Sequence, residues 1–211
     1  WSDKGGTGKT TLSTSLASCL GSQPLQLYDF DPQGDASRWA GRNGLRCEQL
    51  GPGAARGFLR EFANQESPVV ADLPPGAAGL PIAALAELCV IPTRPGDADL
   101  VALGRALKLL KEAKAAGNPD MQIAVVLSQA RVGTVRTETV EDALKRMSEL
   151  DGFTYLGRLS HRVQIETASA SGQDLLHCGD GAVAHEFRGI LERISNLLNY
   201  GNTEGGLKPV P

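Results

Sequence analysis

The sequence predicts a single α/β domain of the P-loop kind, a mostly parallel sheet with helices on both faces. Three observations predict it. Short apolar stretches alternate with helical ones, several of the apolar stretches end on an acid or a proline, and a glycine-rich loop stands directly ahead of the first helical stretch. Alternation of this kind gives parallel strands joined by crossover helices. In such sheets ligands gather beyond the carboxyl ends of the strands, and that is where Asp29, Asp31 and Asp72 fall. A length of 211 residues suits one hydrophobic core.

The elements follow in order. Thr10 to Leu20 is the first helical stretch. Leu25 to Tyr28 reads as a strand ending at Asp29, and the glycine-rich segment Arg42 to Gly57 reads as a loop. Val69 to Ala71 is a strand ending at Asp72, Leu88 to Ile91 one ending at Pro92, and Ile123 to Leu127 one ending at Ser128. Tyr155-Leu156 is a short fifth candidate. Asp97 to Ala116 carries Leu100, Leu103, Leu107 and Leu110 at helical spacing. Thr137 to Leu150 and Val183 to Tyr200 are the remaining helices, the last with an apolar stripe that reads as core packing. Residues 1–200 form the domain and 201–211, rich in glycine and proline, a flexible tail. The chain opens at Trp1 directly on a motif, so residues ahead of Trp1 are expected in the natural protein.

Composition narrows the function classes. Hydrophobic residues at 41% and charged residues at 21% describe a folded chain. The net charge of -3 excludes a global basic footprint, so any nucleic-acid contact must come from a local patch. The four cysteines are far apart with no CxxC pair, which argues against zinc or a disulfide framework and for a reducing, cytoplasmic setting. The longest clear apolar run, Ile123 to Leu127, is too short to cross a bilayer.

The chemistry begins at Lys4-Gly5-Gly6-Thr7-Gly8-Lys9-Thr10-Thr11. The glycines let the backbone curl so that N–H groups face phosphate oxygens, and the helix that follows adds its positive end. Lys9 is placed to reach the β- and γ-phosphates of a nucleotide, and the Thr10 hydroxyl to bind Mg²⁺. Asp3 stands where the general pattern has its first glycine. Asp29-Phe30-Asp31-Pro32-Gln33-Gly34 sets two carboxylates two apart at a strand end, pointing the same way. One suits the Mg²⁺ shell and the other the orientation of a water. Val69-Val70-Ala71-Asp72-Leu73-Pro74-Pro75-Gly76 reads as a strand presenting Asp72 to Mg²⁺ through water, with Gly76 offering a backbone N–H to the γ-phosphate.

Taken together, these three segments and Ile91-Pro92-Thr93-Arg94-Pro95 resemble the ParA/MinD superfamily of deviant Walker A ATPases, from residue 1 to about residue 195. The resemblance implies a slow, Mg²⁺-dependent ATPase that forms a sandwich dimer on ATP. It assigns nucleotide binding to Lys4 and Gly5 through Thr11, catalysis to Lys4, Lys9 and Asp31, and the metal to Thr10, Asp29 and Asp72. Lys4 would be the signature lysine that crosses to the partner's phosphates. With nothing ahead of the loop and a tail ending Gly-Gly-Leu-Lys-Pro-Val-Pro, the likeness is to the small, ParF-like partition proteins rather than to membrane-cycling MinD. The partners so implied are a second copy in the ATP state, non-specific DNA and a ParB-like adaptor, with no membrane, in a nucleoid-associated protein that segregates or positions a plasmid, chromosome or other cargo. A MinD-like positioning ATPase and a P-loop metabolic ligase or reductase remain the alternatives. The local cations offered for DNA are Arg158, His161 and Arg162, then Arg131 and Arg136, then Lys108, Lys111 and Lys114.

Overall fold

The computed structural model describes residues 1–20, 26–51, 54 and 68–198. Among the described residues six strands follow one another: β1 (Gln26–Asp29), β2 (Cys47–Gln49), β3 (Val69–Asp72), β4 (Leu88–Thr93), β5 (Gln122–Ala130) and β6 (Thr154–Ser160). The helices are α1 (Lys9–Cys19), α2 (Asp35–Asn43), α3 (Leu80–Ala83), α4 (Asp97–Gly117), α5 (Val135–Leu150), α6 (Val163–Ser171) and α7 (Gly181–Leu197). Every pairing among these described strands is parallel, in the orders β2-β1-β3 and β4-β5-β6. The first residues of the chain run along the seam between these two groups. The backbone nitrogen of Trp1 donates to the Val90 carbonyl at 3.0 Å, and the Gly76 N–H donates to the Ser2 carbonyl at 3.0 Å. Gly79 makes room for the indole there, since a Cβ on it would sit 2.5 Å from the Trp1 ring and 2.6 Å from the Pro74 carbonyl.

β5 explains why helices cover both faces. Its side chains alternate: Ile123, Val125 and Leu127 belong to one buried cluster, Ala124 and Val126 to another. The first cluster is closed by Leu103, Ala106, Leu107 and Leu110 of α4 with Val140 and Leu144 of α5. The second is closed by Leu12 and Leu16 of α1 with Val183, Phe187, Ile190 and Ile194 of α7. A strand buried on both faces carries an unbroken apolar run, which is what makes β5 the plainest strand in the sequence.

The fold class is the one the sequence predicts, and the boundaries differ for local reasons. β5 extends to Ala130 and β6 to Ser160 because a register shift at Leu127/Ala130 lets pairing resume beyond Ser128. α5 starts at Val135, where the Thr134 side chain accepts the Thr137 N–H, and α7 at Gly181, where Asp180 accepts from Ala182 and Val183. The expected loop from Arg42 to Gly57 contains the end of α2 and the edge strand β2; three mostly exposed residues leave no apolar alternation to read. Leu25, residues 52–53 and 55–57 of that loop, and the 201–211 tail lie outside the described residues.

Candidate functional site

The phosphate loop joins the seam to α1. Gly6 at φ 70° and Gly8 at φ 93° supply the left-handed conformations that turn the backbone into the helix. Among the described residues, no protein acceptor takes the backbone N–H of Thr7, Gly8, Lys9 or Thr10. These are the orphan donors of a loop and a helix N-terminus, and an anion is their natural acceptor.

At the foot of α1 the Thr10 hydroxyl donates to Asp72 Oδ2 at 2.7 Å. Asp72 is 1% exposed, and its other oxygen, Oδ1, has no hydrogen-bond partner among the described residues. Burial pushes this carboxyl above its usual range, and the hydroxyls of Thr10 and Ser13 pull against that shift. A buried, uncommitted carboxylate oxygen beside a threonine hydroxyl fits a hydrated divalent cation, which keeps most of its waters. Burial also lowers the Lys9 ammonium from its ordinary value; the carboxylates of Asp72 and then Asp31 oppose this.

Asp29 and Asp72 end β1 and β3 as register partners, and Asp31 lies two residues beyond β1; Asp72 and Asp31 both act electrostatically on Lys9. Their bonding differs. Asp29 is fully buried and accepts backbone N–H groups on both oxygens, from Asp31 at 3.1 Å and Ser37 at 2.8 Å, so it pins the following turn to the first turn of α2. Asp31 is half-buried and accepts the Gln33 N–H at 3.0 Å. The Gly76 N–H, expected to face the γ-phosphate, is instead engaged by the Ser2 carbonyl. Lys4 lies beside the loop, its Nζ 3.1 Å from Asp99 Oδ2; the Arg94 guanidinium holds the other oxygen of Asp99 at 3.0 Å.

Two residues that the sequence left without a role complete the loop. The Ser128 hydroxyl donates to the Thr7 carbonyl at 2.6 Å, and the Gln129 amide donates to the Gly6 carbonyl at 2.9 Å. Both lie at the end of β5, more than a hundred residues away along the chain. Beside them opens a cleft of about 510 Å³ whose lining includes Gly8, Thr11, Arg38, Gln129, His161 and Arg162.

Most of the cations expected to form a cationic surface have an acidic or carbonyl partner within the chain. Arg158 lies between Glu141 at 3.0 Å and Glu186 at 3.5 Å, and Arg162 is 3.4 Å from Asp180. Arg136 pairs with Asp97 at 2.6 Å, Lys111 with Asp151 at 3.5 Å and Lys108 with Glu112 at 4.0 Å, while Lys114 donates to the Met121 carbonyl. Arg131 and His161 are exposed and have no ion pair among the described residues. Cys89 is buried in β4, and among the described residues no helix is long and apolar enough to cross a membrane.

Comparison with known proteins bears on the fold and the family. The curated "Maintenance of carboxysome distribution protein A" of Gloeobacter kilaueensis is 39% identical over 108 residues, covering 47% of this chain and 50% of that protein. The chain thus spans about half the length of that relative. The protein of the same name from Halothiobacillus neapolitanus is 27% identical over 157 residues, 68% of this chain and 71% of that one. In fold, the chain is similar to an ATP complex of a Cyanothece McdA variant, with a TM-score of 0.77 and 15% identity over 94% of each chain. The family described as "CobQ/CobB/MinD/ParA nucleotide binding domain" matches residues 1–176. With its phosphate loop, acidic strand ends and parallel sheet all inside that span, the chain belongs to this family.

Proposed function

We propose that this chain is a Mg²⁺-dependent ATPase that dimerises on ATP and positions a cargo on DNA. The observation that carries the ATPase reading is the Thr10–Asp72 hydrogen bond with its uncommitted Asp72 oxygen, set below a loop of unpaired N–H groups. In this reading Gly5 to Thr11 cradle the phosphates, Lys9 neutralises them, and Thr10 and Asp72 hold Mg²⁺, with Asp29 behind them shaping the turn. The ion would draw negative charge from the phosphates as the terminal bond breaks. Asp31, at the mouth of the site, orients the attacking water. The cleft beside Gln129 suits the ribose and base.

Lys4 is assigned to the partner subunit's phosphates. Relatives named for carboxysome distribution favour a positioning role over a metabolic one, and a cargo of that kind over a plasmid. Non-specific DNA as the track and an adaptor protein as the link to cargo belong to the same proposal. Asp31→Ala tests its core: the variant should bind ATP as wild type does and lose hydrolysis, measured as phosphate release. Unchanged turnover would sink the assignment of Asp31.

A further inference from the structure

Two hydrogen bonds from the end of β5 reach adjacent carbonyls of the phosphate loop. Ser128 Oγ donates to Thr7 O at 2.6 Å, the shorter of its two contacts, the other being Thr93 O at 3.1 Å. Gln129 Nε2 donates to Gly6 O at 2.9 Å. In a planar trans peptide the carbonyl and the next residue's N–H point in opposite directions. Drawing the carbonyls of Gly6 and Thr7 toward β5 therefore turns the N–H groups of Thr7 and Gly8 away from it. Those N–H groups have no protein acceptor among the described residues, and they run on into the free N–H groups of Lys9 and Thr10. Successive inward N–H groups of this kind make an anion-binding concavity.

Gln129 bears a second mark. Its φ of 52° makes it the only non-glycine among the described residues in the left-handed region. It occupies the register shift between Leu127 and Ala130, where β5 departs from its ladder with β6. Glycine would adopt this backbone without the steric penalty that glutamine bears. A strained backbone of this sort is held in place by its surroundings, and such positions gather at functional sites. Here the side chain that the strained backbone carries is the one bonded to the loop.

We infer that Ser128 and Gln129 are positioning residues that preset the N–H groups of Thr7 and Gly8 for nucleotide phosphates. The inference rests on the nucleotide-binding reading of the loop. Neither residue touches the phosphates; each acts through a carbonyl. A merely structural tie between β5 and the loop would move stability and ligand affinity together. A positioning role separates them at Gln129, because removing the side chain with glycine also relieves the backbone.

The test uses the full chain as wild type, Ser128→Ala, Ser128→Thr, Gln129→Ala and Gln129→Gly. Affinity for Mg·ATP is measured by calorimetric titration, and stability by thermal melting without nucleotide. Ser128→Ala should weaken ATP binding by roughly tenfold, the scale of one hydrogen bond aimed at a charged ligand's donors, and Ser128→Thr should restore it. Gln129→Gly should melt higher than Gln129→Ala and no lower than wild type, yet bind ATP several-fold more weakly. Gln129→Gly carries the test by itself if Ser128→Ala fails to fold. Affinities within about twofold of wild type for the folded variants would overturn the positioning role and leave the nucleotide reading intact. So would Gln129→Gly losing stability and affinity in step. A wild-type protein that binds no ATP would overturn both.

Discussion

The phosphate loop and the outer helices both present cationic or donor groups, and they treat them in opposite ways. In the loop, glycines and the bonds from Ser128 and Gln129 fix the carbonyls on one side and leave the N–H groups without protein partners among the described residues. On the helices and at the end of β6, nearly every cation that the sequence suggested for DNA is matched to a nearby acid or carbonyl: Arg158 to two glutamates, Arg162 to Asp180, Arg136 to Asp97, and the lysines of α4 to their own neighbours. The first region is organised for a ligand that is not part of the chain. The second is organised mainly for the fold. Binding capacity thus follows from donors held without partners, and a count of positive residues overstates it.

The largest expected effect attacks the first region. Lys9→Ala should weaken ATP binding by about a hundredfold or more, since a charge-assisted contact to phosphate is lost where neighbouring carboxylates remain. Calorimetric titration reads it. A loss of only a few-fold would mean that the backbone N–H groups alone carry the site and would sharpen the contrast further.

Arg158→Glu attacks the second region. The side chain is 35% exposed and its partners Glu141 and Glu186 are 15% and 16% exposed, so a glutamate there would gather three carboxylates in a partly buried pocket. The expected cost lies between that of a surface pair and a buried one, about 2 kcal/mol, read as a lower melting temperature. Retention on DNA should fall only as far as folded protein is lost. A stable variant that had lost DNA retention would instead return Arg158 to the role the sequence suggested.

A smaller effect is expected at Asp72. Its folded-state pKa is raised by burial above the ordinary 3.8. The contribution of the protonated form is therefore fully present below that value and is lost as pH rises through the folded-state pKa. Above that folded-state pKa the nucleotide-free protein carries a buried charge with one oxygen unsatisfied among the described residues. Asp72→Asn should raise the melting temperature of the nucleotide-free protein on the alkaline side of that pKa, by about 1 kcal/mol in stability, and the gain should shrink as pH falls toward 3.8. The same variant should lose the extra stability that Mg·ATP gives wild type. A gain that did not vary with pH would assign it to packing instead.

The smallest effect concerns the exceptions within the second region. Arg131 is exposed without an ion pair among the described residues, whereas Lys108 has Glu112 at 4.0 Å. If the proposed DNA contact is made, Arg131→Ala should reduce the slope of log K against log salt by about 0.9, the value for one phosphate. Lys108→Ala should change it less. Equal slopes for both would erase the distinction between free and paired cations.

Much of this arrangement is legible in the sequence, and the division is physical. Lys4 to Thr11 and the acids at Asp29, Asp31 and Asp72 are readable because their chemistry is local: adjacent residues make a loop, a strand end or a helix start. β5 is readable because burial on both faces leaves a continuous apolar run. The roles of Ser128 and Gln129 are not, because their bonds span 121 and 123 residues and nothing in the dipeptide announces a loop on the far side. The ion pairs of Arg158 are hidden for the same reason: Glu141 and Glu186 approach it from two different helices. β6 is underestimated because Gly157, at φ 123°, and Arg158 interrupt its apolar pattern.

Asp99 is buried and shared between two cations, Lys4 on one oxygen and Arg94 on the other. A buried acid with a single cation would resist losing it, since an unpaired charge would remain in a poorly solvated place. An acid with two can release one and stay neutralised. If Lys4 leaves for a second subunit, Arg94 remains behind as counter-ion, so the departure opens no electrostatic wound in the monomer. Reassociation is just as easy once the partner withdraws. A lysine so held is neither locked nor loose, and its exchange between cis and trans partners can be reversible at every turn of a cycle.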